Sequence, residues 1–270
     1  WIQMYTSGTT GFPKGVLLTH RNVVSTALGL ALDVPFNVDP CKVLVVAPIF
    51  HIGGLITIFA SMVCGGAFHL EREFHPHNVL KAMSEGGCTH AFMVPVMVRA
   101  LLGVGGLDAL DFSNFRVLMY GAAPMPEGLA KRAKEVFGCK LIQGYGLTES
   151  TGVLGLLMDP DHEVCPGATC REYSMARIKV VDPQGMPVGP GEVGEIVAKG
   201  DGIMKGYWRR MMLTYQLQQT ICMSCVSLRK EVYPLLWWLS GRPTRTRSSY
   251  PSPLGSGYIK YMRTDGCTPS

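Results

Sequence analysis

From Trp1 to about Gly200, short apolar runs alternate with amphipathic stretches, the rhythm of an α/β chain. WIQMY reads as a strand that runs into a Gly/Thr-rich loop. Thr19 is placed to cap a helix carrying Val23, Val24, Ala27 and Ala31 on one side. KVLVVAP (42–48) predicts a short strand closed by proline, and His75 to Met83 a helix with Val79, Leu80 and Met83 inward. AFMV (91–94) is a further strand, and Pro95 opens another helix. The cleanest unit is RVLMY (116–120), the turn GAAPMP, a helix from Glu127 to Phe137, and the strand KLIQ (140–143). On that helix Leu129, Ala133, Val136 and Phe137 face inward, Glu127 and Lys131 are spaced to pair, and Gly138 supplies the stop. Strand, helix and strand at these lengths predict a parallel crossover.

After residue 170 the rhythm changes. ARIKVVD, PQGMPVGPGE and VGEIVAKG read as antiparallel strands joined by Pro/Gly turns. The expected division is an α/β part over 1–170, a small β subdomain over 171–208, and a divergent, poorly structured or mis-framed tail over 209–270. Charge supports the last boundary: residues 1–208 hold 16 Lys/Arg against 18 Asp/Glu, whereas 209–270 hold 9 against 2. The basic tail has no helical Arg/Lys stripe and no zinc-finger or RNA-binding signature, so no nucleic-acid partner is expected.

A hydrophobic fraction of 47% against 17% charged residues permits a sizeable core and argues against wholesale disorder. The longest apolar window, Ile52 to Phe68, has glycine pairs at both ends that read as turns, so a membrane span is not expected. No secretory signal is visible at the start. Nine scattered cysteines suit a reducing, cytoplasmic compartment, with peripheral membrane association left open. Cys165 and Cys170 with Cys222 and Cys225 lack the compact spacing and turns of a zinc site. His75 and His77 have no third ligand nearby in sequence, and His20, His69, His90 and His162 read as structural or surface residues.

Candidate chemistry begins at Tyr5. YTSGTTGFPKG packs glycines, hydroxyls and a lysine directly after a strand, which suits backbone N–H groups curving around phosphate. It is not a GxxxxGK[ST] loop, and neither a GxGxxG run nor a G-x-S-x-G elbow occurs. The run resembles the signature phosphate loop of the adenylate-forming superfamily of acyl-CoA synthetases, luciferases and peptide-synthetase adenylation domains. APIFHIGG (47–54), YGAAPMP (120–126), QGYGLTES (143–150) and GEVGEIVAKGDGIMKGYW (191–208) are similar to further family segments, in the expected order. The resemblance implies part of an α/β adenylate-forming large domain, with a mostly parallel sheet and a smaller antiparallel β subdomain.

It also implies chemistry: a carboxylic acid attacks ATP to give an acyl-adenylate, and CoA then takes the acyl group. On that resemblance Thr6, Ser7, Gly8, Thr9, Thr10, Gly11 and Lys14 hold the β- and γ-phosphates. Glu149 is the Mg²⁺ ligand, Thr148 donates to the α-phosphate, and Tyr145 lies against adenine. Gly144 and Gly146 let the backbone approach the nucleotide, while Gly121, Ala122 and Ala123 form a close wall. His51 is placed near the carboxylate and acyl pocket, as a gate or an orienting group. Glu192 and Glu195 read as structural residues of a turn region. Fatty acids lead as substrates, with aromatic acids such as cinnamates behind.

The pattern breaks after Trp208. No TGD-type aspartate, hinge arginine or C-terminal-domain lysine is recognisable, and Asp265, Lys230 and Lys260 lack the expected surroundings. The stretch that the family carries before its phosphate loop is also short here. Weak or absent activity, and partner capture or aggregation through uncovered sheet surface, are therefore expected. A nucleotide-binding remnant or interaction protein is the competing reading.

Overall fold

The computed structural model describes residues 1–6, 12–36, 40–165, 167–189 and 192–210, and the backbone of 258–260. The loop proper, 7–11, and nearly all of the expected tail lie outside these residues.

Strand β1 (Ile2–Thr6) pairs antiparallel with β2 (Lys14–Leu18), in register from Ile2 opposite Leu18 to Thr6 opposite Lys14. Helix α1 (His20–Asp33) starts where predicted. The Asn22 N–H donates to Thr19 Oγ1 (3.2 Å), and the Thr19 N–H donates to Asn22 Oδ1 (2.8 Å), so two otherwise orphaned donors are satisfied reciprocally. Its inward face differs from the expected one. Val23, Ala27 and Leu30 are buried, but Val24, Leu28 and Leu32 form an exposed apolar stripe, because Val24 lies about 100° around the helix from Val23.

The main sheet follows. β3 (Lys42–Val45) leads into α2 (Ile52–Val63), β4 (Ala67–Leu70), α3 (Pro76–Ser84), β5 (His90–Met93) and α4 (Pro95–Leu102). Then come β6 (Val117–Gly121), α5 (Glu127–Phe137), β7 (Lys140–Tyr145), β8 (Gly155–Leu157), the short α6 (Asp161–Val164) and β9 (Ala168–Glu172). β10 (Ala176–Val181) and β11 (Glu195–Gly200) form the predicted antiparallel hairpin, β12 (Gly206–Tyr207) joins β2, and β13 (Tyr258–Lys260) joins β9. The eight-stranded order is β13-β9-β8-β7-β6-β5-β3-β4. Contacts from β4 through β7 are parallel and those from β7 through β13 antiparallel, so the sheet is parallel where the predicted crossover lies and mixed beyond it.

Side-chain alternation explains the layering. Val43, Val45, Val117, Met119 and Ile142 enter one core with Leu30 of α1 and Ile56 of α2. Leu44, Leu118 and Leu141 enter the other with Met83, Leu101 and Phe137 of α3, α4 and α5. A sheet covered on both faces needs near-continuous apolar strands, and VLMY has that character.

Two local expectations change. Gly65 and Gly66 do make a turn, but Gly53 and Gly54 lie inside the first turn of α2, packed against the end of β3: a Cβ on Gly54 would stand 2.6 Å from Ala47 O. The expected Glu127–Lys131 pair is not among the ion pairs of the described residues. Lys134 instead reaches Asp159 (3.2 Å) and Glu163 (3.3 Å), tying α5 to α6 and its approach. No helix among the described residues is long and apolar enough to cross a membrane.

Candidate nucleotide site

Three segments distant in sequence converge beyond the carboxyl ends of β6 and β7, where open α/β sheets accept ligands. The first is the turn after β7. Leu147 is followed by a 3₁₀ turn, Thr148–Ser150, whose closure is fixed by Ser150: its Oγ accepts from Leu147 N (3.1 Å) and donates to Leu147 O (3.0 Å). This turn carries Thr148 and Glu149, both partly exposed.

The second segment is the strap from Asp201 to Trp208, which crosses back over that turn. The Met204 N–H donates to Glu149 O (2.8 Å), and Thr151 Oγ1 donates to Gly202 O (2.6 Å). Asn22 Nδ2 donates to Asp201 O (2.7 Å) and Ile203 O (2.6 Å), and Arg21 meets Asp201 at 3.0 Å, which anchors the strap to α1. The strap then enters β12 beside β2, with Lys205 N donating to Leu17 O (2.9 Å) and Trp208 N to Gly15 O (2.8 Å).

The third segment is β2, which begins at Lys14. Tyr207 unites all three: its hydroxyl donates to Glu149 Oε1 at 2.6 Å, and the Lys14 ammonium lies 5.4 Å from its ring centroid. Burial, and then the Glu149 carboxylate, push the Tyr207 phenol well above its usual range, so it stays a donor. A short bond from a neutral donor to a carboxylate is among the stronger kinds, and a cation over an aromatic face adds to it.

The backbone around this cluster is tight. A Cβ on Gly121 would stand 2.5 Å from Gly144 O, and one on Gly146 would overlap Gly152 O and meet Val153 N at 2.7 Å. Gly144 itself has more room, its nearest neighbour being Tyr120 O at 3.9 Å. Ala122 holds φ = +63°, a left-handed conformation that costs an L-residue about 1 kcal/mol or more. Such strain concentrates at functional sites. Ala123 beside it is exposed.

Tyr145 ends β7 as a buried member of the core that also holds Ile142, Val153 and Leu154. His51 is exposed as the N-cap of α2, with no side-chain cap bond and its ring 4.7 Å from that of Phe50. The next residue, Ile52, lies against Gly152, so α2 starts beside the Glu149 turn. Phe92 of β5 sits between Gly53 and Gly121, where a Cβ would meet its ring at 2.8 Å and 3.4 Å.

The predicted set thus divides. Lys14 and Glu149 share Tyr207, Thr148 adjoins them, and Gly121, Gly144 and Gly146 form the adjoining backbone. Thr6 faces Lys14 across β1 and β2, while Ser7, Gly8, Thr9, Thr10 and Gly11 lie outside the described residues. Glu192 accepts the Gly189 N–H at 2.7 Å, a turn contact. Tyr207 and Thr151 had no assigned role, although Tyr207 stands in the GYW of a family-like segment; only the fold reveals its aim at Glu149.

One carboxylate and a neighbouring hydroxyl make a sparse, hard-oxygen donor set. Among the described residues no group of three or more His, Cys, Asp or Glu is placed to hold a metal ion. Such a set fits Mg²⁺, which takes one or two carboxylates and completes its shell with water and substrate phosphates.

The family profile described as "AMP-binding enzyme" matches residues 2–208. A feruloyl-CoA synthase from an Amycolatopsis species is 37% identical over 220 residues, covering 80% of this chain and 44% of that protein. Luciferin 4-monooxygenase of Photuris pensylvanica is 33% identical over 212 residues, covering 77% of this chain and 38% of its own. Among solved structures, o-succinylbenzoate coenzyme A synthetase from Bacillus subtilis, in complex with ATP and a magnesium ion, superposes with a TM-score of 0.72 at 29% identity. That match covers 79% of this chain and 44% of the other. The chain therefore spans less than half the length of these relatives. With its ordered motifs gathered at one end of a matching sheet, the chain belongs to the AMP-binding enzyme family.

Proposed function

We propose that this chain carries the nucleotide-binding half of an ATP-dependent acid–thiol ligase, and that its site binds Mg²⁺–ATP for adenylation of a carboxylic acid. The observation that carries this reading is the Lys14–Tyr207–Glu149 cluster, with Tyr207 hydrogen-bonded to Glu149 at 2.6 Å and Lys14 over its ring. Lys14 supplies positive charge for the polyphosphate, and Thr148 a hydroxyl donor for the α-phosphate. Glu149 would hold Mg²⁺, which, when bound, offsets charge as pyrophosphate departs. Gly144 would let the backbone approach the nucleotide, Gly146 lets the turn bearing Glu149 close against Gly152, and His51 at the start of α2 would orient the acid. The acid's oxygen forms a bond to the α-phosphorus as the bond to pyrophosphate breaks. In the complete reaction the CoA thiol then displaces AMP from the acyl carbon.

For the acid, the relatives favour an aromatic carboxylate over the aliphatic acids that led on sequence: feruloyl-CoA synthase and several 4-coumarate–CoA ligases are among them. An aliphatic acid is the second reading, supported by the similarity to a fatty acid–[acyl-carrier-protein] ligase of Streptomyces coeruleorubidus.

The test is equilibrium binding of ATP to the purified chain with and without Mg²⁺, followed by pyrophosphate release with ferulate or octanoate. Mg²⁺-dependent binding that disappears in Glu149→Ala is expected. A folded sample that binds no ATP refutes the reading. ATP binding without acid-dependent pyrophosphate release leaves the nucleotide-binding remnant in its place.

A further inference from the structure

We propose that Tyr207 is a positioning residue of the nucleotide site, orienting the Glu149 carboxylate toward the bound cation and seating Lys14 on its ring. This rests on the reading of the cluster as a Mg²⁺–ATP site and assigns a role to a residue outside the phosphate-loop and Glu149 motifs.

The geometry separates two jobs in one side chain. The hydroxyl donates to one carboxylate oxygen of Glu149, Oε1, at 2.6 Å, and would hold the carboxylate by that oxygen. Glu149 has a long side chain on a turn whose backbone is held by Met204 N donating to Glu149 O, and among the described residues the hydrogen bond to its carboxylate comes from Tyr207. Without the phenol, the carboxylate must give up its rotamer freedom when the cation arrives. Partners of this kind, which fix a ligating carboxylate from behind, commonly change metal affinity about tenfold or more when removed. The ring does the second job, since Lys14 lies over its face. The aromatic body is buried between β2 and the Thr148–Ser150 turn and cannot swing away without β12 leaving the sheet. A residue that only packed the strap would need the ring and not the hydroxyl.

The test uses the full chain, the non-hydrolysable probe α,β-methylene-ATP, and a Mg²⁺ titration followed by calorimetry, with circular dichroism to confirm folding. Tyr207→Phe keeps the ring and should raise the Mg²⁺ concentration at half-saturation by roughly tenfold, with nucleotide affinity restored at saturating Mg²⁺. In a Glu149→Gln background the same change should do nothing more, because the two act through one contact. Tyr207→Leu should in addition weaken binding measured without metal, as Lys14 loses its seat. If Tyr207→Phe titrates like the parent while Glu149→Gln loses Mg²⁺ dependence, the positioning role is overturned and the site reading stands. A shift that persists in the Glu149→Gln background also overturns it. Parent binding indifferent to Mg²⁺ overturns both together.

Discussion

Adding a single methyl group at Gly146 tests whether the site depends on the close approach of two backbone segments. Gly146 joins β7 to the turn bearing Thr148 and Glu149. An alanine Cβ there would overlap Gly152 O and lie 2.6 Å from its carbonyl carbon and 2.7 Å from Val153 N, where ordinary contact begins near 3.4 Å. All three are backbone atoms, so no rotamer change relieves the clash. The turn must shift by several tenths of an ångström, and Ile52 of α2 stands close behind Gly152, where a Cβ built on that glycine would meet it at 3.3 Å. Overpacking of this kind costs about 1–3 kcal/mol, and without a side chain to move the upper end applies. For a domain of this size, about 3 kcal/mol lowers the melting temperature by roughly 5–10 °C. Because the displaced turn carries Glu149, Mg²⁺-dependent ATP binding should weaken as well. Gly128→Ala is the control: it lies in α5 with nothing within 4 Å of the added carbon, and should raise stability by about 0.5 kcal/mol. Thermal melts followed by circular dichroism, with ATP titrations on the same samples, measure both. A Gly146→Ala chain that melts with the parent would refute the packing argument.

Two further outcomes are expected. His90 is buried in the fold: its Nε2–H donates to Pro35 O (3.0 Å), its Nδ1 accepts from Thr89 Oγ1 (2.7 Å), and its ring stacks on Phe36. Burial, aided by Arg116, lowers its pKa to about 4 despite the Pro35 bond. The unfolded chain therefore binds the proton first, so stability is full above about pH 6.5 and falls as pH drops toward 4, by about 3 kcal/mol in order of magnitude. Urea unfolding at pH 7 and pH 4.5 should show a larger difference in the parent than in His90→Gln; equal differences would reject the assignment. At Ala122, with φ = +63°, Ala122→Gly should relieve strain and stabilise by about 0.5–1 kcal/mol, and a lower melting temperature would show that the turn is not strained.

The β6–α5–β7 unit was legible because its apolar pattern and its turn signals agreed, although the Glu127–Lys131 pair is not among the ion pairs of the described residues. VLMY is apolar enough for a doubly covered strand, the helix has one apolar face, and Gly138 takes φ = +61° at its end. Helix α2 was hidden because paired glycines at its start look like a turn, and only the proximity of Ala47 O explains them. The buried face of α1 is only partly legible, because four apolar residues around a helix do not say which neighbour they meet. At the candidate site, Lys14, Thr148 and Glu149 stand in segments that the family resemblance singles out, and the fold brings these segments together. Their connection was not: Tyr207 reaches Glu149 across 58 residues of chain, a contact with no local signature.

The strap bears on when the proposed site comes together during folding. β12 is only two residues long, yet it brings the phenol to Glu149 and locks β2 beside the turn. Contacts between such remote parts of a chain form late, after loop closure has been overcome. A nascent or nicked chain that stops short of Tyr207 would keep most of its sheet and still lack the clasp, so on the proposed reading its loss should show as weaker nucleotide binding in an otherwise folded chain.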